Sequence, residues 1–366
     1  MKTLLRTSAG IACTIATLAV TACASVGPTT VPRDRIDYGT AIGDSWKQQT
    51  LLNIVKLRYG DMPIFLEIAQ VIAGYQFEST VGAGFNAANN TAGLVGPFAT
   101  GGSVVAQGKY TDRPTLIYAP LTGNDFLKKL MTPIPPSAIL FVLQSGYVAD
   151  IVMPIAIDSI NGINNASRRS IDRPGDPRFF RIAGLLRDLQ RAGVVQVRIE
   201  RAKREGETTL IVFGPSKDPK IAAESREIRS ILGLKPDLRE LKVFYGGYSE
   251  KNDEIAMLTR SMLQIMVELA ANIQVPASDV AEGKAASGSV RDQPSETPGS
   301  TALQIMSGDV PPQGAYVAVP YKNHWFWIAE TDIRSKFTFA FVMLLFSISE
   351  TGVTGSAPVV TVPASP

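Results

Sequence analysis

The chain has 366 residues, 45% of them hydrophobic, with 36 Lys and Arg set against 33 Asp and Glu and a single histidine. That length can build two or three cores, and the near balance of charge excludes a basic stripe of the kind that binds nucleic acid. One histidine and two cysteines, Cys13 and Cys23, leave no H-E-x-x-H, C-x-x-C or other multi-ligand metal motif, so no metal or cofactor is expected.

The first residues, "MKTLLR", carry Lys2 and Arg6 and no acid, and "TSAGIACTIATLAVTA" after them is small and apolar up to Cys23. A basic start, a short apolar core and small residues at a cut site have the order of a secretory signal. The core is too short for a spanning helix of about 20 residues. Val20-Thr21-Ala22-Cys23 resembles the lipobox of bacterial lipoproteins, which implies diacylglyceryl transfer to the Cys23 thiol and cleavage before it, with residues 1–22 as signal peptide. Ala22-Cys23-Ala24 also suits an ordinary cut after Ala24. Ala24 and Ser25, with no Asp after the cysteine, are what this resemblance associates with the outer membrane. Without Lys2 and Arg6 the mature chain keeps 34 basic and 33 acidic residues, a net charge of +1. Its one cysteine would be acylated, so an oxidising periplasm raises no disulfide question.

Residues 23–36, ending "ASVGPTTVPRDRI", are aperiodic and are expected to form a tether. Tyr38, Ile42, Trp46, Leu52, Val55 and Tyr59 then fall near helical spacing, and Gly60 and Pro63 mark the stop. From Tyr75 the period becomes two: Tyr75, Phe77, Ser79, Val81, Ala83 and Phe85 alternate with Gln76, Glu78, Thr80, Gly82 and Gly84. "SVVAQGKYT" alternates again, which predicts an antiparallel hairpin over 75–111. Its connection, "NAANNTAGLVGPFATGG", carries no charge.

"TGNDFLKKLMTPIPPSAILFVLQSG" predicts two short helices, with Thr122 as N-cap of the first and Pro136 in the first turn of the second. "VADIVMPIAIDSINGINN" reads as one buried helix kinked near Pro154. The N-terminal α+β domain is thus drawn over 37–167. A central α+β domain, 168–276, holds a helix with Phe179, Ala183, Leu186 and Leu189 on one face and a strand pair "VVQVRIER"/"TTLIVFG". The helix "AAESREIRSILG", the strand "ELKVFYGG" and a helix over "NDEIAMLTRSMLQIMVELAANI" complete it. Residues 277–300 lack large apolar residues and read as a flexible linker. A C-terminal β-rich subdomain, 301–366, carries "AYVAVPYK", "HWFWIAE", a core helix over "IRSKFTFAFVMLLFSIS" and a last strand "PVVTVPA". The expected class is α+β: antiparallel hairpins packed with amphipathic helices, in two or three subdomains.

Little in the chain carries chemistry. His324 lacks a recognisable nucleophile or metal partner and sits beside a hairpin turn, so a structural role is expected for it. Tyr321, His324, Trp325 and Trp327 are the candidate binding surface, for a protein partner or a glycan. "GSVVAQGKY" fails as a phosphate loop, because its spacing is one residue too long and Tyr110 stands where Ser or Thr would bind magnesium. Asp150 and Asp158, eight residues apart, are too far apart on one helix to pair.

Several stretches together resemble a group of uncharacterised proteobacterial lipoproteins: "LLNIVKLRYGDMPIFL", "PTLIYAPLTGNDF", "TPIPP", "SINGINN", "ESREIRSILGL" and "HWFWI". The likeness runs over most of the mature chain. It implies a Gram-negative envelope lipoprotein and carries no functional residue onto this chain beyond Cys23.

The expectation is a non-enzymatic, periplasm-facing lipoprotein held in the outer membrane by the acyl chains on Cys23, acting as a structural or interaction component with an envelope protein as partner. Homo-oligomers are compatible with this, and nucleic acid is not a partner. Two alternatives stand beside it: an oligomer whose 75–111 hairpins form a membrane pore or export channel, and a periplasmic glycan-binding protein or hydrolase built around His324 and the nearby tryptophans.

Overall fold

The fold is that of a computed structural model, which describes residues 26–72, 75–86, 101–112, 115–167, 174–202, 206–285 and 303–349. The signal segment, Cys23 and the expected last strand "PVVTVPA" lie outside the described residues. The class is α+β, with antiparallel hairpins and amphipathic helices. The chain divides into two compact units, Met1–Gly43 with Leu66–Pro120, and Asp44–Phe65 with Leu121–Pro366.

The first unit contains the start of helix α1, Val26–Arg58, and four strands: β1, Phe65–Ile72; β2, Tyr75–Asn86; β3, Gly101–Asp112; and β4, Thr115–Leu121. The tether expected over 23–36 is helical from Val26. Between residues 31 and 41 all but Asp34 and Tyr38 are exposed. A helix exposed all round has no apolar stripe, and that stripe is the periodic signal by which a sequence announces a helix. Pro28 falls in its first turn, where a missing N–H costs nothing; Pro32 lies inside it. β1 pairs with β4, and β2 with β3, as separate two-stranded sheets.

The second unit adds helices α2, Asn124–Met131; α3, Pro136–Gln144; α4, Ala149–Ala156; α5, Pro177–Arg191; α6, Pro219–Ile231; α7, Met262–Ala270; α8, Ala277–Ala281; and α9, Ile333–Ser349. Its strands are β5, Ile157–Ile160; β6, Ile163–Asn164; β7, Val195–Ala202; β8, Gly206–Phe213; β9, Glu240–Tyr245; β10, Glu254–Thr259; β11, Met306–Gly308; β12, Ala315–Tyr321; and β13, His324–Ala329. A six-stranded sheet in the order β6-β5-β10-β9-β8-β7 is antiparallel except for β10 against β9. A three-stranded antiparallel sheet runs β11-β13-β12. One buried cluster joins Leu51 and Ile54 of α1, the central sheet, Val317 and Phe326, and Phe339 to Phe346 of α9. The cluster includes residues on both sides of 167/168 and of 276/277.

Several expected elements change. The helix placed over "VADIVMPIAIDSINGINN" ends at Ala156, and the chain then makes a hairpin whose turn residues Asn161 and Gly162 both have positive φ, 45° and 78°. Asn-Gly is the residue pair a type I′ turn requires. Asn161 also ties the turn to β10, its Oδ1 accepting from Ala256 N at 2.7 Å. The long helix placed over 252–273 is a strand, β10, followed by a helix, α7. β10 is buried along nearly its whole length, and a strand covered on both faces shows no period of two. Ser261 and Gln264 form a capping box that starts α7. Thr122 is not the cap of α2; Gly123 occupies that position with no side-chain bond. The start of the expected linker, 277–285, is ordered through α8, and Asp279 in it is buried. α9 forms as expected, with Phe339, Phe341, Val342, Leu345 and Phe346 among its buried residues, and no helix among the described residues is long and apolar enough to cross a membrane.

Candidate functional site

In the first unit, β2 and β3 pair antiparallel over all twelve residues of each strand, with no break in register. Because facing residues in an antiparallel pair share a face, the register decides whether the two alternating patterns reinforce or cancel. They reinforce. One face collects the pairs Phe77–Tyr110, Ser79–Gly108, Val81–Ala106, Ala83–Val104 and Phe85–Gly102, apolar but for Ser79. The other collects Gln76–Thr111, Glu78–Lys109, Thr80–Gln107 and Gly84–Ser103, with Val105 opposite Gly82 as its one large apolar member. Asp112 is on the apolar face only at its last pair, opposite Tyr75. "GSVVAQGKY" is part of β3, not a loop before a helix, so it is no phosphate cradle. Among the described residues no further strand pairs with either edge of this ribbon. β4 adds Leu116, Ile117 and Tyr118, each 41–52% exposed.

In the second unit, a polar cluster forms where α1 ends. Tyr59, mostly buried, donates its hydroxyl to Asp279 Oδ2 at 2.6 Å. The Asp279 side chain is 2% exposed and also faces His324 Nε2 at 3.6 Å and Lys284 Nζ at 3.7 Å. His324 Nδ1 meets Asp309 Oδ1 at 2.8 Å. Burial works to raise the Asp279 carboxyl, but the Tyr59 hydroxyl, His324 and Lys284 outweigh it and hold the group below its ordinary value. Burial first, then the bond to Asp279, pushes the Tyr59 hydroxyl well above the ordinary tyrosine value.

Beside it, the β12–β13 turn places Lys322 and Asn323 at φ 46° and 69°. Tyr321 donates to Asp61, and Lys322 Nζ lies 3.1 Å from the same carboxylate and 5.0 Å from the centre of the Tyr59 ring. Tyr321 and then Lys322 hold Asp61 below its ordinary value. Charge and ring contacts thus clamp the end of α1, α8 and the β12–β13 turn together. Both nitrogens of His324 face carboxylates, and the carboxylate that would orient it for catalysis is buried against a tyrosine.

The four residues of the expected binding surface fall on two faces of the β12–β13 pair. Along β13, Phe326 and Ile328 are fully buried, whereas Trp325 and Trp327 are half-buried and belong to the other face by strand alternation. Tyr321 and His324 are directly opposite in register and share the face of Phe326, with the Tyr321 hydroxyl bonded to Asp61. Asp150 and Asp158 lie on different elements: Asp150 pairs with Arg187 at 3.0 Å, and Asp158 lies 3.4 Å from Arg260, whose side chain is 1% exposed. Sequence reasoning missed Asp279 because it sits among small residues and takes its meaning from Tyr59, 220 positions away. Among the described residues no group of three or more His, Cys, Asp or Glu is placed to hold a metal ion. No protein-family model, no curated protein and no solved structure matches the chain.

Proposed function

We propose that the chain is a lipid-anchored component of the Gram-negative outer membrane, facing the periplasm, that works by assembling with further copies of itself. The observation that carries this reading is the β2–β3 ribbon, continuous in register along twelve residue pairs, with its large apolar residues gathered mainly on one face, and paired to no other strand among the described residues. An isolated two-stranded hairpin is marginally stable at best in water. Its unpaired N–H and C=O groups are a template for another strand. Identical neighbours satisfy both edges with the same geometry. The lipobox-like Val20-Thr21-Ala22-Cys23 supports the anchor, since two or more acyl chains hold a protein stably at a membrane.

The polar cluster favours a structural role over an enzymatic one. Asp279 is closed off from solvent, and Trp325 and Trp327 share no platform with His324. Crosslinking in the cell, with two isotopically distinct populations of the chain expressed together, tests the assembly. Mixed-isotope crosslinks within residues 65–121 are expected. Crosslinks confined to one isotopic population, with other proteins joined only through the second unit, would replace self-assembly by a partner complex.

A further inference from the structure

We infer that the β2–β3 hairpins of several copies close into a transmembrane β-barrel with an aqueous lumen, so that the assembled protein is a channel. This rests on the self-assembly proposed above and adds where the ribbon goes. Lipid is the occupant that fits its apolar face. Twelve residues at ~3.4 Å each span ~41 Å, and a tilt of ~40° brings that to ~31 Å, against ~30 Å of hydrocarbon. Tyr75, Phe77 and Tyr110 lie toward one end of that face and Phe85 toward the other, the two levels at which barrel strands carry aromatic residues. The sequence of residues 86–102 has no charged residue.

One hairpin cannot span alone, because each unpaired backbone group in hydrocarbon costs several kcal/mol. Closure removes both edges. Water-filled barrels have about 16 strands or more, so two strands per copy require about eight copies or more. The lumen would then be lined by the polar face, where each copy contributes Glu78 opposite Lys109.

The test uses the full chain, extracted from membranes in mild detergent and added to a planar bilayer of phosphatidylethanolamine and phosphatidylglycerol under a potassium chloride gradient. Stepwise conductance is expected. Val81→Asp, at the middle of the apolar face, should cut insertion events at least tenfold while the second unit melts as before. Glu78→Lys should keep the conductance steps and move the reversal potential toward chloride, a change that a misfolded hairpin cannot produce. A large assembly with no conductance would overturn the channel and leave self-assembly standing; a single-copy species would overturn both. Conductance that survives Val81→Asp, or a reversal potential indifferent to Glu78→Lys, would place the conduction path elsewhere and overturn the assignment to this hairpin.

Discussion

Replacing Tyr59 with phenylalanine removes one oxygen and keeps the ring, which still packs edge-on against Tyr321 and Phe326 at 5.4 and 6.0 Å between centroids. What is lost is the 2.6 Å bond to Asp279, a carboxylate 2% exposed. Its remaining neighbours, His324 and Lys284, stand 3.6 and 3.7 Å away and do not replace a short bond. A hydrogen bond to a charged group contributes about 1.5–3 kcal/mol. Taking the loss as about 2 kcal/mol, at ~2–4 °C per kcal/mol, the melting temperature of the second unit should fall by roughly 4–8 °C at neutral pH. The pH profile should change on both sides. The Asp279 value is held below that of the unfolded chain, so its share of stability is present above ~4 and is lost as pH falls through the folded value. Without the Tyr59 hydroxyl that value rises, and acid unfolding should begin at higher pH. The Tyr59 value is raised, so its share is present below ~10 and is lost as pH rises through the folded value. The variant should therefore lose less stability in alkali than the parent, with the Tyr321 contribution remaining. Thermal unfolding followed by circular dichroism between pH 3 and 11, on chain beginning at Ser25, measures all three. An unchanged melting temperature with an unchanged alkaline limb would show that the Tyr59–Asp279 bond does not hold the unit together.

Arg260 donates to the carbonyls of Pro154, Ile155 and Ala166 and lies beside Asp158; Arg260→Met should cost about 3–5 kcal/mol, seen as a lower denaturant midpoint. His324→Gln should leave the assembly size unchanged and lower the melting temperature only slightly, since Gln can keep one of two polar contacts worth about 1 kcal/mol each; lost assembly at unchanged melting would give His324 a functional role. A clickable palmitate analogue should label the parent chain and not Cys23→Ser, and equal labelling of the two would remove the anchor.

The ribbon was legible because apolar residues recur at alternate positions from Tyr75 to Phe85, Ser79 excepted, and a period of two is the signature of a strand. The register that stacks Val81 on Ala106 and Ala83 on Val104 was not, since it depends on the length of the turn. The start of α1 was hidden by its exposure, and β10 by its burial: neither has two contrasting faces. Asn161-Gly162 and the Ser261–Gln264 box were local signals of a turn and a helix start, masked by the apolar runs around them. His324 could be read as structural from its isolation, but Asp279 and Asp309 reach it only through the fold.

The most direct measurement is the mass of the full chain extracted in mild detergent, determined by light scattering beside chain beginning at Ser25 and the Val81→Asp variant. A closed ring predicts about eight copies or more for the extracted chain, at 16 or more strands, with smaller species for the other two. A single copy in detergent, equal in mass to the unlipidated form, would contradict self-assembly through the hairpin.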